Sequence, residues 1–600
     1  MKWPASKKFA RIVMLFLLLA AVAVAAVVMG GYERTKSRLT EVVIRRVLAS
    51  AIGKLPPAQN DAQEVRTMML TMRDGVQLET HVYLPAGKGP WPAILVRDPY
   101  SLTKYVTCDI FVHYGYACVH QDVRGRYGSQ GAWYPLINER NDGIDTLKWL
   151  LAQPWQNESI GMWGSSYLGL SEWAVADEFP PEVKTFVSGI SHGDLYEMIY
   201  HNGEFRQGVA GVFSSTLFQP LEKQIDKRAQ RYWRDTITHT WPATSADREA
   251  FGPAWTSYHD YLMHPEKSDP YWQSPAYAAI RDSYKSIQVP VMITERWYDF
   301  FLPGTLKTFE SLPTRGQSRM VVEPGDHAAN PGDLKVTAKN EHRSWDTLAW
   351  FDHFLKGTPL PDSLRPGYTI YVNGADRWED LSSWPPKTQP LTLNLHDLRA
   401  SHRCGGGGLA PQAASDEQPV SYVYDPRNPV PTRGGSDMVV DGLAPSSSAE
   451  QKTDLCSRPD VLSFASASFE KASLVSGSIK VRLQVSSNAP DTAFALKLSE
   501  QFADGRVLLI RDDISTLSLR NGAALRLTYA PNDQVEVDFD LAAIAWQIQP
   551  GSRLRLEITS SDFPAFNAHP NKAGLWSEVA TPAVATQTIY GGGLDIPVSY

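Results

Sequence analysis

The sequence predicts an α/β fold built on a covered parallel sheet and followed by a separate β domain. Three observations carry that prediction: short apolar runs alternating with helical patterns, a small-residue turn joining one such run to a helix, and a late switch to strict polar–apolar alternation. The runs lie at 92–96, 116–122, 160–163, 185–188, 289–294 and 320–323. Spaced by helical patterns, they read as strands buried on both faces of a parallel sheet. One intervening helix is expected over 142–152, where Ile144, Leu147, Leu150 and Leu151 form an inward stripe. Between 192 and 286 the alternation stops, and polar-aromatic helical stretches such as 221–238 take its place. An insertion there would lie over the strand ends, where α/β sheets bind ligands, and is expected to be a cap. From 366 onward, segments such as Ile479-Lys480-Val481-Arg482-Leu483-Gln484-Val485 and Arg553-Leu554-Arg555-Leu556-Glu557-Ile558 alternate as strands of an antiparallel sandwich with one wet face. The expected domains are thus a segment over 1–58, a catalytic domain over 59–191 and 287–365, a cap over 192–286, and a β domain over 366–600.

Composition narrows the function. Hydrophobic residues at 43% and charged residues at 20% are globular values, and a net charge of −7 with a pI near 6.1 gives no basic footprint, so a nucleic-acid partner is not expected. The N-terminus differs in kind: Lys2, Lys7, Lys8 and Arg11 precede an uncharged apolar run over 12–31. Two readings stay open. The run is long enough for a membrane anchor with its basic flank inside, and Ala21-Val22-Ala23 and Ala23-Val24-Ala25 offer signal cleavage sites. Either way the remainder is expected outside the cytoplasm, tethered to a membrane only if the run is retained. The four cysteines are an even number in an oxidising compartment, with Cys108–Cys118 and Cys404–Cys456 as candidate pairs. No zinc-type cysteine spacing, His-Glu-x-x-His or phosphate loop is present, so neither a metal nor a cofactor is expected. A homo-oligomer is compatible with the sequence.

The chemistry centres on Gly161-Met162-Trp163-Gly164-Ser165-Ser166-Tyr167-Leu168-Gly169. A strand, a sharp turn and a helix in that order form a nucleophile elbow, which lifts a serine hydroxyl above the sheet. Ser166 is the candidate, because it alone of the two serines has glycine two places before it; Leu168 stands where a second glycine is usual, and Gly169 follows one place later. A serine needs a base, and the base needs a carboxylate, arriving in this fold in the order Ser, Asp or Glu, His. Asp299 and His327 each follow a predicted strand, with Asp326 as a competing acid. The developing oxyanion needs donors: the backbone N–H of Tyr167, next after the serine, is one, and the Tyr100 phenol, which taken by itself reads first as a packing residue, is a candidate for the second.

With these residues in view, the chain resembles the cocaine-esterase and X-prolyl dipeptidyl-peptidase group of serine hydrolases, which includes α-amino-acid ester hydrolases and glutaryl cephalosporin acylases. The resemblance rests on Arg97-Asp98-Pro99-Tyr100, Gln121-Asp122-Val123-Arg124-Gly125-Arg126 with Gly128-Ser129-Gln130-Gly131, the elbow, Trp297-Tyr298-Asp299, Gly325-Asp326-His327, Trp350 to Gly357, Tyr424-Asp425-Pro426, Pro429 to Gly435, and Ser561-Asp562-Phe563-Pro564. It implies an α/β-hydrolase domain with a helical cap and a C-terminal jelly roll. It also implies Ser166, Asp299 and His327 as the triad, Tyr100 with the Tyr167 backbone as the oxyanion hole, and a small ester or amide as substrate. Amino-ester hydrolases of the group hold the substrate ammonium with carboxylates placed partly after the triad aspartate. Here Phe300-Phe301-Leu302 follow Asp299, and Met198 stands at the matching cap position beside Glu197. An ammonium desolvated without a counter-charge is costly, so α-amino acyl substrates are disfavoured, while Glu197 and Glu204 keep a dipeptidyl-peptidase reading open. Trp297, Phe300, Phe301, Met198 and Glu197 are the candidate substrate contacts; the two phenylalanines read first as core and, if they face the site, as the wall of an apolar acyl or leaving-group pocket. A reading of another class is a non-catalytic surface binding protein acting through the jelly roll.

Overall fold

The computed structural model describes residues 57–100, 107–191, 193–217, 240–245, 256–338, 343–412, 417–436, 447–522 and 525–599. The chain divides into two units, Met1–Pro57 with Glu341–Asp346, and Ala58–Asn340 with Thr347–Tyr600; everything below concerns the second. The apolar run over 12–31 and the helical stretch over 221–238 lie outside the described residues. Among the described residues no helix is long and apolar enough to cross a membrane.

Two ten-stranded sheets organise the second unit. The first is built from β1 (Ala62–Thr71), β2 (Gln77–Pro85), β3 (Trp91–Asp98), β4 (Ala117–Asp122), β5 (Gln156–Ser165), β6 (Val183–Gly189), β9 (Val291–Tyr298), β10 (Arg319–Asp326), β11 (Gly367–Val372) and β12 (Arg377–Leu381), with β7 and β8 lying outside it. Its order is β1-β2-β4-β3-β5-β6-β9-β10-β11-β12. All neighbours from β4 to β11 run parallel, and antiparallel strands close both edges. All six expected runs are strands of this sheet. Parallel strands must be covered on both faces, and helices α1 (Thr107–His113), α2 (Glu139–Leu151) and α3 (Tyr167–Trp173) lie in the connections, with Leu147 and Leu150 of α2 buried. The sheet continues past residue 366: β11 pairs in parallel with β10 and β12 folds back on it, to Leu381.

Between β6 and β9 the chain leaves the sheet as helix α4 (Leu195–Ile199), the two-stranded β7 (Tyr200–His201) and β8 (Glu204–Phe205), and helices α5 (Gln207–Leu217), α6 (Thr256–Met263) and α7 (Pro275–Asp282). The β7–β8 hairpin is tied to the C-terminal region: Phe205 N–H donates to Asn567 Oδ1 at 2.7 Å, and Asn567 N–H to Phe205 O at 3.0 Å.

The second sheet joins β13 (Gln389–His396), β14 (Gly407–Ala410), β16 (Leu462–Ser466), β17 (Ser473–Ser487), β18 (Ala493–Gln501), β19 (Val507–Thr516), β20 (Val535–Ile548), β21 (Arg553–Thr559) and β22 (Ala585–Ser599), with β15 (Val420–Tyr424) on β22. Its alternation departs from expectation at one strand. On β17 the polar residues Lys480 and Arg482 face water, whereas on β21 the polar residues Arg555 and Glu557 are buried and paired at 2.9 Å. β21 sits between β16 and β18, so its polar positions are covered, and the two charges satisfy each other as buried charges must. Cys108 is joined to Cys118, tying α1 to β4, and Cys404 to Cys456.

Candidate active site

The three candidate catalytic residues each stand one place beyond a strand end: Ser166 after β5, Asp299 after β9 and His327 after β10. That is the carboxyl edge of the sheet, where open α/β sheets present their ligands. The elbow is built for close approach. Ser166 has φ +56° and ψ −125°, a sparsely populated conformation for a non-glycine residue, costing about 1–3 kcal/mol. Its neighbours are small for reasons of space. A Cβ on Gly164 would lie 2.5 Å from the Leu168 carbonyl carbon, and one on Gly169 would lie 2.8 Å from Ser191 Cβ on the far side of the turn. The glycine at 169 thus belongs to helix–strand packing, which explains why it, and not position 168, is glycine.

Ser166 Oγ is 2.9 Å from His327 Nε2, and His327 Nδ1 is 2.7 Å from Asp299 Oδ2. Asp299 is 1% exposed, and its other oxygen accepts from Phe301 N–H at 2.9 Å. The competing acid, Asp326, is occupied otherwise: Oδ1 accepts from the N–H groups of Ala328 and Asn330 at 3.0 and 2.9 Å, closing the turn that carries His327. Arg296 donates to the His327 carbonyl at 2.8 Å while paired with Glu323 at 3.2 Å, an anchor that sequence reading missed. Glu295, wholly buried, has its carboxyl pushed well above the usual range by burial and then by the charge of Asp299, which favours a neutral neighbour for that carboxylate.

The Tyr100 phenol lies beside Ser166, and burial, outweighing that neighbour, raises its pKa, so it keeps its proton and can donate. Its backbone is held on both sides: Tyr100 N–H donates to Asp98 Oδ1 at 2.6 Å, and the Tyr127 hydroxyl donates to Tyr100 O. Tyr167 opens α3, a position whose N–H has no intrahelical acceptor. Its phenol is fully buried and donates to Glu139 Oε1 at 2.9 Å; Glu139 Oε2 is 2.9 Å from Arg97 Nη1, and Arg97 Nε donates to Gln121 Oε1 at 3.0 Å. Gln121–Arg97–Glu139–Tyr167 is therefore a buried polar chain beneath the elbow. It gives a structural role to Arg97 and Gln121, two motif residues for which the sequence alone offered none.

The candidate substrate contacts separate. Phe300 stacks on the His327 ring at 4.9 Å between centroids and 24°, and Phe301 lies 5.9 Å from it. Both are nearly buried, and with Asp299 they form one wall of a cavity of about 470 Å³ that meets the triad from the aspartate side. Glu197 also borders this cavity, but its carboxylate is paired with Lys267 at 2.7 Å. Trp297 and Met198 face the core instead: Trp297 is wholly buried with its N–H on Tyr371 O at 2.6 Å, and Met198 is 3% exposed among core residues. Glu204 is also fully buried. Away from the triad, Glu79, His81 and Asp122 bring one donor atom each to within 4.8 Å of one another; each engages other groups as well, and we assign no metal to them.

Residues 74–329 match the X-Pro dipeptidyl-peptidase (S15) family, and residues 363–594 match the X-Pro dipeptidyl-peptidase C-terminal non-catalytic domain. The chain belongs to this family. It is an enzyme of serine hydrolase type with an α/β-hydrolase fold, a helical cap insertion and a mostly sheet C-terminal domain. Cocaine esterase from Rhodococcus sp. (strain MB1 Bresler) is 28% identical over 536 residues, covering 85% of this chain and 92% of the esterase. The fold is shared with an aminopeptidase from a marine sediment Thaumarchaeota archaeon, at TM-score 0.74 and 23% identity over 91% of this chain and 98% of the other. It is shared also with an α-amino acid ester hydrolase, at TM-score 0.75 and 23% identity with the same coverage.

Proposed function

We propose that this family member hydrolyses esters or amides with an apolar or aromatic acyl or leaving group, through an acyl-enzyme on Ser166. The continuous contact from Ser166 Oγ through His327 to Asp299, 2.9 and 2.7 Å, is the observation that carries the reading. His327 Nε2 takes the hydroxyl proton as Oγ attacks the carbonyl carbon, while Asp299 holds the Nδ1 proton and stabilises the imidazolium. The tetrahedral oxyanion accepts from the Tyr100 phenol and the Tyr167 N–H, two donors fixed before reaction by the bonds around them. His327 then protonates the leaving group, which departs, and next takes a proton from water, whose oxygen attacks the acyl carbon; as the acyl–Oγ bond breaks, the imidazolium returns that proton to Ser166 and the acid leaves.

Phe300 and Phe301 beside the imidazole support an apolar group there, since no charge is offered at those positions. A substrate ammonium would need a counter-ion, and of the two carboxylates the sequence offers for it, Glu197 is neutralised by Lys267 and Glu204 is buried away from solvent; esters and simple amides are accordingly favoured over Xaa-Pro peptides. The basic-flanked run over 12–31 and the two disulfides support work outside the cytoplasm. A fluorophosphonate probe is expected to label the wild type and to leave Ser166→Ala unlabelled; an unlabelled wild type ends the proposal. A panel of aryl esters, glutaryl amides and Xaa-Pro anilides then ranks the substrate classes, and a dominant rate on the anilides would reverse the stated preference.

A further inference from the structure

We infer that the C-terminal sheet carries a binding groove for a neutral oligosaccharide, a site that goes beyond the hydrolase reading and does not depend on it. The groove has a volume of about 1230 Å³ and lies across the wet face of β13, β22, β17 and β20, with Glu197, Asn202 and Lys307 bordering it from the hydrolase part, where it adjoins the cavity beside the triad. Register fixes what that face displays. Thr392, Asp595, Lys480 and Asp540 stand side by side in one rung, and Asn394, Gly593, Arg482 and Asp538 in the next. A third rung holds Gly591, Gln484 and Glu536. Residues paired across strands share a face, so each rung is a row of donors and acceptors, and in the second and third rungs the β22 position is glycine.

Those glycines make the floor. A Cβ at Gly591 would meet nothing within 4 Å, so the space above it is open, whereas one at Gly593 would come within 2.7 Å of Leu393 O. The register also slips between Gln484 and Val485 against Gly591 and Ile589, leaving Tyr590 as the extra residue of a bulge. A bulge re-aims its side chain, and Tyr590 is half-buried at the groove wall with its hydroxyl 3.1 Å from Ser486 Oγ.

The walls are pre-set rather than loose. Gln484 donates to Glu536 at 2.7 Å, Thr392 to Asp595 at 2.5 Å and Arg482 to Asp538 at 3.3 Å, yet Arg482 and Asp538 keep 61% and 47% of their side chains exposed. Both charge signs alternate along the walls, three cations against five carboxylates among the described lining residues. A polyanion or polycation would meet repulsion at every second group, and an apolar partner would strand these polar atoms. A hydroxyl-rich neutral chain donates and accepts at each position, matching carboxylate, amide and guanidinium in turn, while the glycine floor leaves room for a flat ring beside Tyr590.

The test uses the full-length Ser166→Ala protein, fluorescently labelled, on an array of neutral tetra- to hexasaccharides of the gluco, manno, galacto and xylo series, with sulfated and uronic chains alongside. Array retention is read without any turnover, and ester hydrolysis by the wild type is measured apart from it, so failure of one leaves the other untouched. Retention of at least one neutral series is expected, weakened at least about tenfold by the added pair Arg482→Ala and Gln484→Ala, as for the loss of two hydrogen-bonding side chains. Asp538→Ala, on the far wall, is expected to weaken it in the same direction. No retention of any neutral chain, retention indifferent to these changes, selective retention of the acidic chains, or sedimentation showing the face covered by a second copy would each overturn the inference.

Discussion

The carboxyl edge of the first sheet and the wet face of the second are both rich in polar side chains, and they spend them in opposite ways. At the first sheet Arg97, Glu139 and Gln121 are removed from water and bonded to one another, and the result is a fixed position for Tyr167. At the second, Lys480 with Asp540 and Arg482 with Asp538 pair in full view of solvent. A buried pair is costly to break because removing one partner leaves an uncompensated charge; an exposed pair is nearly neutral. The same residue types therefore mark a rigid interior support in one region and a solvent-exposed ladder in the other.

Four substitutions on the catalytic side and one on the β side test that contrast, from the largest effect down. Ser166→Ala should lower kcat on an aryl ester by about 10⁴-fold or more, measured at saturating substrate; a loss below tenfold would remove the serine from the reaction. Arg97→Ala should cost about 3–5 kcal/mol in denaturant unfolding, because it strands the Glu139 carboxylate in the interior. Tyr100→Phe should lower kcat by about 10²–10³-fold with KM little changed, the signature of a donor used in the transition state.

The fourth is a pH effect. Burial pushes the Glu204 carboxyl up to about 8 from an ordinary 4.5. The folded protein thus holds this proton more tightly than the unfolded chain does. The stability it contributes is complete below about pH 4.5 and is lost as pH rises through about 8. Glu204→Gln should flatten the fall in unfolding free energy over that window, and an unchanged slope would place the titration elsewhere. The smallest effect belongs to the open face: Lys480→Ala should change stability by about 1 kcal/mol or less, and a larger loss would mean that this ladder is structural.

Much of the site was legible in the sequence because its parts are local. A serine between glycines, and an Asp and a His each just past an apolar run, announce strand ends and turns whatever the rest of the chain does. The second-order supports were not legible, since Glu139, Arg296 and Tyr127 reach the site only through the crossing of strands and loops distant in sequence. Trp297 shows the limit of proximity: two residues before Asp299 and part of a telling motif, it still belongs to β9 and is held in the core by its bond to Tyr371 O, whereas Asp299 stands past the strand end, where the backbone leaves the sheet. On β21 alternation itself misled, as Arg555 and Glu557 carry the pattern of a wet face but lie in the middle of a covered sheet. Glu204 and Met198 were weighed for a charge cluster, and both prove to be interior residues.

The run of β11 and β12 beyond residue 366 has a practical consequence. The β11–β12 turn is stitched to β20, with Asn373 N–H on Ala545 O at 3.0 Å and Gln547 N–H on Asn373 O at 2.8 Å. Severing the polypeptide at 365 would strip β10, the strand that presents His327, of its outer neighbour. A hydrophobic strand with naked hydrogen-bonding groups is a template for aggregation. The two halves are one folding problem, and any dissection that keeps the hydrolytic half soluble must carry the chain past Leu381.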